Sequence, residues 1–506
     1  MKTTAGLIGG RLDNEVYSFR GVPYGAPTGG ARRFLPPQAP ASWRGVRDAA
    51  AYGPDAPRRK PGARPDGSAY WPELPESEDC LVLNVWSRGL GDGKKRPAMV
   101  WLHGGGFVSG SGSAEREAGD ALCRRGDVVV VSANHRLSVL GYTYLEGQGG
   151  KAFAGSGNAG MLDLVLALRW VQDNIARFGG DPGNVTIFGQ SGGGQKVACL
   201  MAMPSANGLF HRAIIESGPM PRALEPSYAN DMARQLLAEV GLKAGDVRGL
   251  QQVPIGRLMS AYYSVFERNG GVGVMGIVQG FVPVVDGAAL PHHPFYKQAP
   301  RQSAAIPLMI GCTRTEMAAY ILGPDPDAPK GDMEGLRRRL TPILKDRTDE
   351  IIKGYVRNHL GASPWELHLL ITADWPTRLY SIHLAELQAA QRQAPVHLYR
   401  IDWETPVRGG VLKAPHAIEI SLVFDKVAEG ARSTGGGPDA QALANIMSDT
   451  WIAFARTGDP NNPRLPQWPA FDPARRTTMI FDRQCRVAED PDGKDRELLR
   501  AALQMV

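Results

Sequence analysis

Cysteine is scarce in this chain of 506 residues. Cys80, Cys123, Cys199, Cys312 and Cys485 are odd in number and widely scattered, and none falls into a CxxC or Cys/His spacing. That pattern excludes a disulfide framework and a zinc ribbon, and reads as free thiols in a reducing compartment. No run of about 18 apolar residues occurs, so a membrane-spanning helix is excluded on hydropathy. The stretch from Met1 to Arg11 lacks the apolar core and cleavage region of a secretory leader. The expectation is a soluble, cytoplasmic protein. An excess of one charge sign is lacking too: the formal net charge is only +6, spread along the length, which argues against nucleic acid as a partner. Internal repeats and a clean interdomain linker are absent. What is plentiful is glycine (61) and proline (39), which mark many turns in a composition otherwise ordinary for a globular protein with a sizeable core.

Strand-like runs alternate with helical stretches. Ala98 to Leu102, Asp127 to Ser132 and Val185 to Phe188 read as strands, with a helix around Met161 to Phe178 before the third. Further strands are expected at Arg212 to Glu216, Ala305 to Ile310 and Val396 to Arg400. Strands apolar on both faces, alternating with helices, predict an α/β fold with a mainly parallel sheet covered on both sides. The last two runs lie far along the chain, so helical insertions over the sheet's carboxyl edge are expected, roughly at 220–300 and 320–395. Arg58 to Ser68, Gly323 to Gly335 and Glu429 to Ala440, rich in Gly, Pro and charge, read as surface loops, the first of them a candidate rim of the site.

The most informative segment is Gly189-Gln190-Ser191-Gly192-Gly193, directly after the apolar run Val185-Thr186-Ile187-Phe188. A glycine-rich turn between a buried strand and the helix that begins at Gln195 would hold the Ser191 hydroxyl exposed on a strained corner, a nucleophile elbow. GxSxG alone is weak, since many matches are ordinary turns. The next residues exclude a phosphate loop: after Gly194, Gln195 intervenes before Lys196, and Val197 stands where Ser or Thr is required.

A serine hydroxyl is a poor nucleophile near neutral pH and needs both a base and donors for the oxyanion. His103-Gly104-Gly105-Gly106-Phe107 follows a strand, and its consecutive glycines leave backbone N–H groups unobstructed, so Gly105, Gly106 and Gly192 are the candidate oxyanion donors. In this fold class the acid and then the histidine follow the serine. His359, His368 and His383 fall in helical stretches and His397 in a strand, where satisfied structural histidines are expected. His416 lies instead in a loop after Gly409-Gly410 and Pro415, where catalytic side chains are displayed. His292 and His293 have no metal-ligand spacing. Glu316, just past the strand ending near Ile310, fits the acid that fixes the imidazole tautomer, with Asp286 or a later carboxylate as competitors.

These residues resemble the type-B carboxylesterases, a family that includes para-nitrobenzyl esterases, carbamate hydrolases and cholinesterases. The resemblance covers nearly the whole chain. It runs from Phe19-Arg20-Gly21-Val22-Pro23-Tyr24 through Ser77-Glu78-Asp79-Cys80-Leu81 and the HGGGF at His103, then Asn134-His135-Arg136-Leu137 and Phe178-Gly179-Gly180-Asp181-Pro182, to Trp451-Ile452-Ala453-Phe454 and Trp468-Pro469. It implies the α/β-hydrolase fold in one domain over 1–506, with Ser191 as nucleophile, Glu316 as acid, His416 as base and Glu419 as the carboxylate that usually comes after the histidine.

The implied activity is hydrolysis of small carboxylic esters through an acyl-enzyme, with no metal or organic cofactor. Carbamates or aryl amides are the alternative substrates, and a silent binding or adhesion module is the alternative of another class. The implied partners exclude membranes as well as nucleic acid, and the implied state is a monomer or small homo-oligomer. Departures from the pattern bear on substrate. Gln190 stands where the family usually has glutamate, which points away from cationic substrates, and Gly192 replaces a common alanine. Met317 replaces a frequent glycine, and Ala56 stands where Cys80 usually finds its disulfide partner. Gln190, Phe107 and Trp71, with residues near Phe266 to Phe281, are the candidates for substrate contact.

Overall fold

Runs that are apolar at every position can be satisfied only inside a sheet covered on both faces, and this is how they are used. The computed structural model describes residues 1–58, 74–270 and 280–503. In chain order the strands are β1 (Leu7–Gly9), β2 (Arg11–Asp13), β3 (Val16–Pro23), β4 (Val46–Asp48), β5 (Val82–Ser87), β6 (Arg96–Leu102), β7 (Val129–Ala133), β8 (Gly180–Gln190), β9 (Arg212–Glu216), β10 (Leu308–Thr313), β11 (Val396–Ile401), β12 (Thr477–Phe481) and β13 (Arg486–Glu489). β1 and β4 form a small parallel pair. The others make one 11-stranded sheet in the order β2-β3-β5-β7-β6-β8-β9-β10-β11-β12-β13. Neighbours are parallel from β7 through to β12 and antiparallel outside that span.

The period-2 geometry of a strand splits each run between two cores. Ala98, Val100 and Leu102, Val129 and Val131, Ile187, Ala213 and Ile215 enter one core with the helices Ala159–Asn174 and Gly192–Ala202. Met99 and Trp101, Val128 and Val130, Phe188, Ile214 and Met309 enter the other, with the helix Gly437–Thr457. From β6 the chain crosses to β7 on one side and then to β8 on the other, so the order reverses between β6 and β8. A crevice opens at such a switch point, outside the carboxyl ends of the two strands. Both the HGGGF segment and Ser191 leave the sheet there.

Between β9 and β10 lie the helices Pro226–Glu239, Val247–Gln252 and Ile255–Arg268, and between β10 and β11 those of Ala318–Leu322, Met333–Leu344, Thr348–Asn358, Pro364–Ala373 and Leu379–Ala390. Some local expectations differ. The helix after Ser191 starts at Gly192, not Gln195, because glycine lets it seat against β6: a Cβ on Gly193 would lie 1.9 Å from the Leu102 carbonyl oxygen. Two predicted loops are partly helical. Gly323 to Gly335 contains a turn at Ala328–Lys330 and the start of the helix capped by Asp332, whose carboxylate accepts from Gly335 N–H at 2.8 Å. In Glu429 to Ala440, left-handed Gly435 ends the helical turn Ala431–Thr434, and two residues later the long helix Gly437–Thr457 begins. Of the first loop only Arg58 is among the described residues. Among those residues, no helix is long and apolar enough to cross a membrane, and all five cysteines are unpaired.

Candidate active site

Ser191 terminates β8 with φ 57° and ψ −122°, a conformation strained for any residue with a Cβ. Its N–H donates to the Glu216 carbonyl at 2.7 Å and its carbonyl accepts from Gln195 N–H at 3.0 Å, so the corner is held from the next strand and from the helix it starts. The serine remains partly exposed while Gly192, Gly193 and Gly194 behind it are buried.

The turn after β6 lies directly alongside: a Cβ on Gly104 would be 3.7 Å from that of Ser191. Gly105 and Gly106 adopt φ of 88° and 63°, open to glycine at no steric cost. Gly192 packs so closely that a Cβ there would sit 2.4 Å from Gly106 N. Among the described residues, the amides of Gly105, Gly106 and Gly192 donate to no protein acceptor. Three unused N–H groups thus cluster beside the serine.

His416 and Glu316 meet because two loops are zipped together. Thr315 N–H donates to the Ala414 carbonyl at 3.1 Å, Ala414 N–H to Thr315 Oγ1 at 2.8 Å, and His416 N–H to the Glu316 carbonyl at 3.3 Å. The Glu316 carboxylate, fully buried, accepts from Thr313 N–H at 2.7 Å through Oε1 and hydrogen-bonds His416 Nδ1 through Oε2. Burial alone would depress the imidazole, but the adjoining Glu316 charge, with Glu419 behind it, outweighs burial and raises its pKa. Among the described residues no hydrogen bond joins Ser191 Oγ to His416. The ring is tied to the elbow instead by Gln190, whose Nε2 lies 3.2 Å from Nε2 and 3.4 Å from Nδ1. Unliganded sites often hold such contacts long until substrate arrives.

The other residues singled out in the sequence have varied surroundings. Gln190 is 2% exposed, its amide turned onto the imidazole rather than into open space. Phe107 is also buried, edge-on to Tyr142 with ring centroids 5.0 Å apart. Trp71 and the segment 271–279 lie outside the described residues. Asp286 is occupied elsewhere, accepting from Asn158 Nδ2 and from the amides of Ala288 and Leu290. His359 is bound to Asp495, His383 to the Tyr296 carbonyl, and His397 is packed against Trp468.

Sequence reasoning missed two buried groups, Glu216 and Lys196, and had Glu419 only through the family resemblance. Glu216 accepts from Trp451 Nε1 at 2.8 Å, and burial followed by repulsion from Glu419 pushes its pKa up. Glu419 accepts from Ser217 Oγ at 3.2 Å, and burial with the Glu316 charge beyond it raises its pKa to about 7. Lys196, fully buried, donates to the carbonyls of His103 at 3.0 Å and Gly106 at 2.7 Å. The signal for Lys196 was its place at the head of the apolar stretch Val197-Ala198-Cys199-Leu200-Met201.

The profile of the Carboxylesterase family matches residues 1–498. Phenmedipham hydrolase of Pseudarthrobacter oxydans is 37% identical over 499 residues, covering 96% of each chain. Para-nitrobenzyl esterase of Bacillus subtilis (strain 168) is 34% identical over 504 residues, covering 98% of this chain and 97% of that one. Among solved structures, the carboxylesterase EST55 of Geobacillus stearothermophilus superimposes with a TM-score of 0.83 at 37% identity, over 98% of this chain and 99% of that one.

Proposed function

The chain belongs to the carboxylesterase family and is a carboxylic ester hydrolase with the α/β-hydrolase fold, and on that premise we propose that Ser191, His416 and Glu316 are its catalytic triad and the amides of Gly105, Gly106 and Gly192 its oxyanion hole. The observation that carries this is the convergence of three chain segments on the carboxyl ends of β6 and β8. They are a strained serine corner, a turn with unused amides beside it, and a histidine bonded to a buried carboxylate.

In this reading Ser191 Oγ attacks the ester carbonyl while His416 Nε2 takes its proton. Glu316 orients the ring and stabilises the imidazolium. The tetrahedral oxyanion accepts from the glycine amides, and collapse expels the alcohol, which takes the proton back from His416. Water, activated by the same base, then releases the acid. Gln190 adds a neutral amide at the imidazole, so the site carries one negative charge fewer than with a glutamate there. Small-molecule esters are the substrates that the relatives imply. The likeness to a phenmedipham hydrolase favours testing that compound alongside aryl esters, and carbamate and aryl-amide carbonyls suit the same chemistry.

The whole of 1–506 is read as one catalytic domain, with its helical insertions between β9 and β10 and between β10 and β11. Five unpaired thiols support a cytoplasmic setting, with a monomer or small homo-oligomer acting on small molecules rather than on membranes or nucleic acid. Labelling by a fluorophosphonate tests the assignment. Wild type should be labelled stoichiometrically at Ser191, and Ser191→Ala should lose both the label and about 10⁴-fold or more in kcat with its melting temperature preserved. A folded S191A that still turns over aryl esters at the wild-type rate refutes it.

A further inference from the structure

Lys196 is a buried cationic side chain beside the elbow that the hydrolytic cycle leaves unused. It is the fifth residue of the helix Gly192–Ala202 and is fully enclosed. Among the described residues it belongs to no ion pair; besides its two carbonyl acceptors its Nζ lies 5.4 Å from the centre of the Phe107 ring. Enclosing an amine in its charged form costs desolvation, and a cation near a helix N-terminus opposes the dipole. Methionine would fill the same space without either cost. What lysine adds is the pair of donated bonds.

Those two bonds complete a pattern. In a trans peptide the C=O and the following N–H point in opposite directions, so holding a carbonyl aims the amide. The Gly104 carbonyl is held by His103 Nδ1 at 2.9 Å. The Gly105 carbonyl is held by Ser109 N–H at 3.0 Å and by Val108 N–H and Ser109 Oγ, each at 3.3 Å. These fix the peptide planes that carry the Gly105 and Gly106 amides. The planes on either side, headed by the His103 and Gly106 carbonyls, are both held by Lys196 Nζ. One side chain, itself borne by the serine's own helix, therefore clamps both ends of the turn.

We infer that Lys196 is a positioning residue that locks the His103 to Gly106 turn to the nucleophile helix and so keeps its amides aimed at the oxyanion. The inference rests on reading those amides as the oxyanion hole. Burial lowers the Lys196 pKa to about 7, yet the clamp does not depend on charge, since a neutral amine still has two N–H donors for two acceptors.

The test compares wild type, Lys196→Met and Lys196→Gln as full-length proteins. The readouts are kcat and KM for a short aryl ester, and Ki for a trifluoromethyl ketone that forms a tetrahedral adduct and for the methyl ketone of the same shape. In K196M, kcat and trifluoromethyl ketone affinity should fall together by about 10- to 100-fold, less than the roughly 10²–10³-fold that outright loss of an oxyanion donor costs. KM and the methyl ketone Ki should stay within about twofold. K196Q, which keeps an N–H donor, should recover part of the loss. Unchanged kcat in folded K196M, or equal losses toward both ketones, overturns the inference. If K196M does not fold, K196Q alone should show the same split at smaller amplitude, and the absence of that split overturns it. Failure of both to fold assigns the lysine to stability and also overturns it. Fluorophosphonate labelling of wild type separates the two levels: an unlabelled wild type refutes the site itself, whereas a labelled wild type beside a fully active K196M refutes only the clamp.

Discussion

His416 sits between opposing influences, burial that disfavours its charge and carboxylates that favour it, and the carboxylates prevail. In the proposed cycle His416 must be neutral to accept the serine proton, so activity should disappear as pH falls through a raised imidazole pKa. The acid limb of kcat/KM should accordingly lie above the ordinary value of about 6.5. Glu316→Gln removes the charge that raises it and offers an amide where the tautomer needs an acceptor. The expected result is a fall in kcat of about 10³–10⁴-fold, with the acid limb of the residual activity moved to lower pH, as read from a pH series with an aryl ester. A limb left where wild type has it would show that Glu316 does not set the base. Gln190 is the other residue at this scale: its amide nitrogen lies 3.4 Å from Nδ1 and 3.2 Å from Nε2 of the His416 ring.

At the scale of elements, the turn after β7 and the helix Ala159–Asn174 are joined by one buried ion pair. Arg136 Nε and Nη2 donate to Asp163 at 2.8 and 2.6 Å, Arg136 N–H adds a third bond at 3.0 Å, and the guanidinium also reaches the Leu35 carbonyl at 2.7 Å. Both side chains are essentially unexposed. Removing one partner strands the other charge in the interior, which costs about 3–5 kcal/mol. Asp163→Asn should therefore lower the urea midpoint by that equivalent, measured by far-UV circular dichroism. A shift below about 1 kcal/mol would mean that relaxation or water rescues the arginine.

At the scale of the whole molecule, the second core beneath the sheet encloses acids as well as aromatics. Glu216 and Glu419 are both fully buried, each with one carboxyl oxygen that has no partner among the described residues. Burial and then the Glu316 charge oppose ionisation of Glu419 and push its pKa up to about 7, from 4.5 for an ordinary glutamate. Between those two values the folded state holds a proton that the unfolded state has lost. Its contribution is complete below about 4.5 and is lost as pH rises through about 7. Glu419→Gln cannot ionise, so its stability relative to wild type should improve from pH 5 to pH 8, by on the order of 2 kcal/mol. Denaturant midpoints of both proteins at the two pH values check this, and parallel pH dependence would overturn it.

Much of this could be read along the chain. Val128 to Val131, apolar at every position, requires a strand covered on both faces, and the elbow glycines and the turn after Leu102 announce their own geometry. His416 stood apart from the other histidines because it comes after Gly409-Gly410 in a loop. Such features depend on neighbours within a few residues, which backbone sterics and side-chain periodicity govern directly. The Gln190 contact with His416 spans 226 residues, and the Lys196 bonds to the turn span 93 and 90. No local spacing encodes those pairings, because a buried polar side chain takes whatever acceptor the packed layers bring to it. The candidate serine corner was legible from five residues and the strand before them, while the groups that hold its surroundings in place emerged only when the sheet, the turn and the helix were assembled.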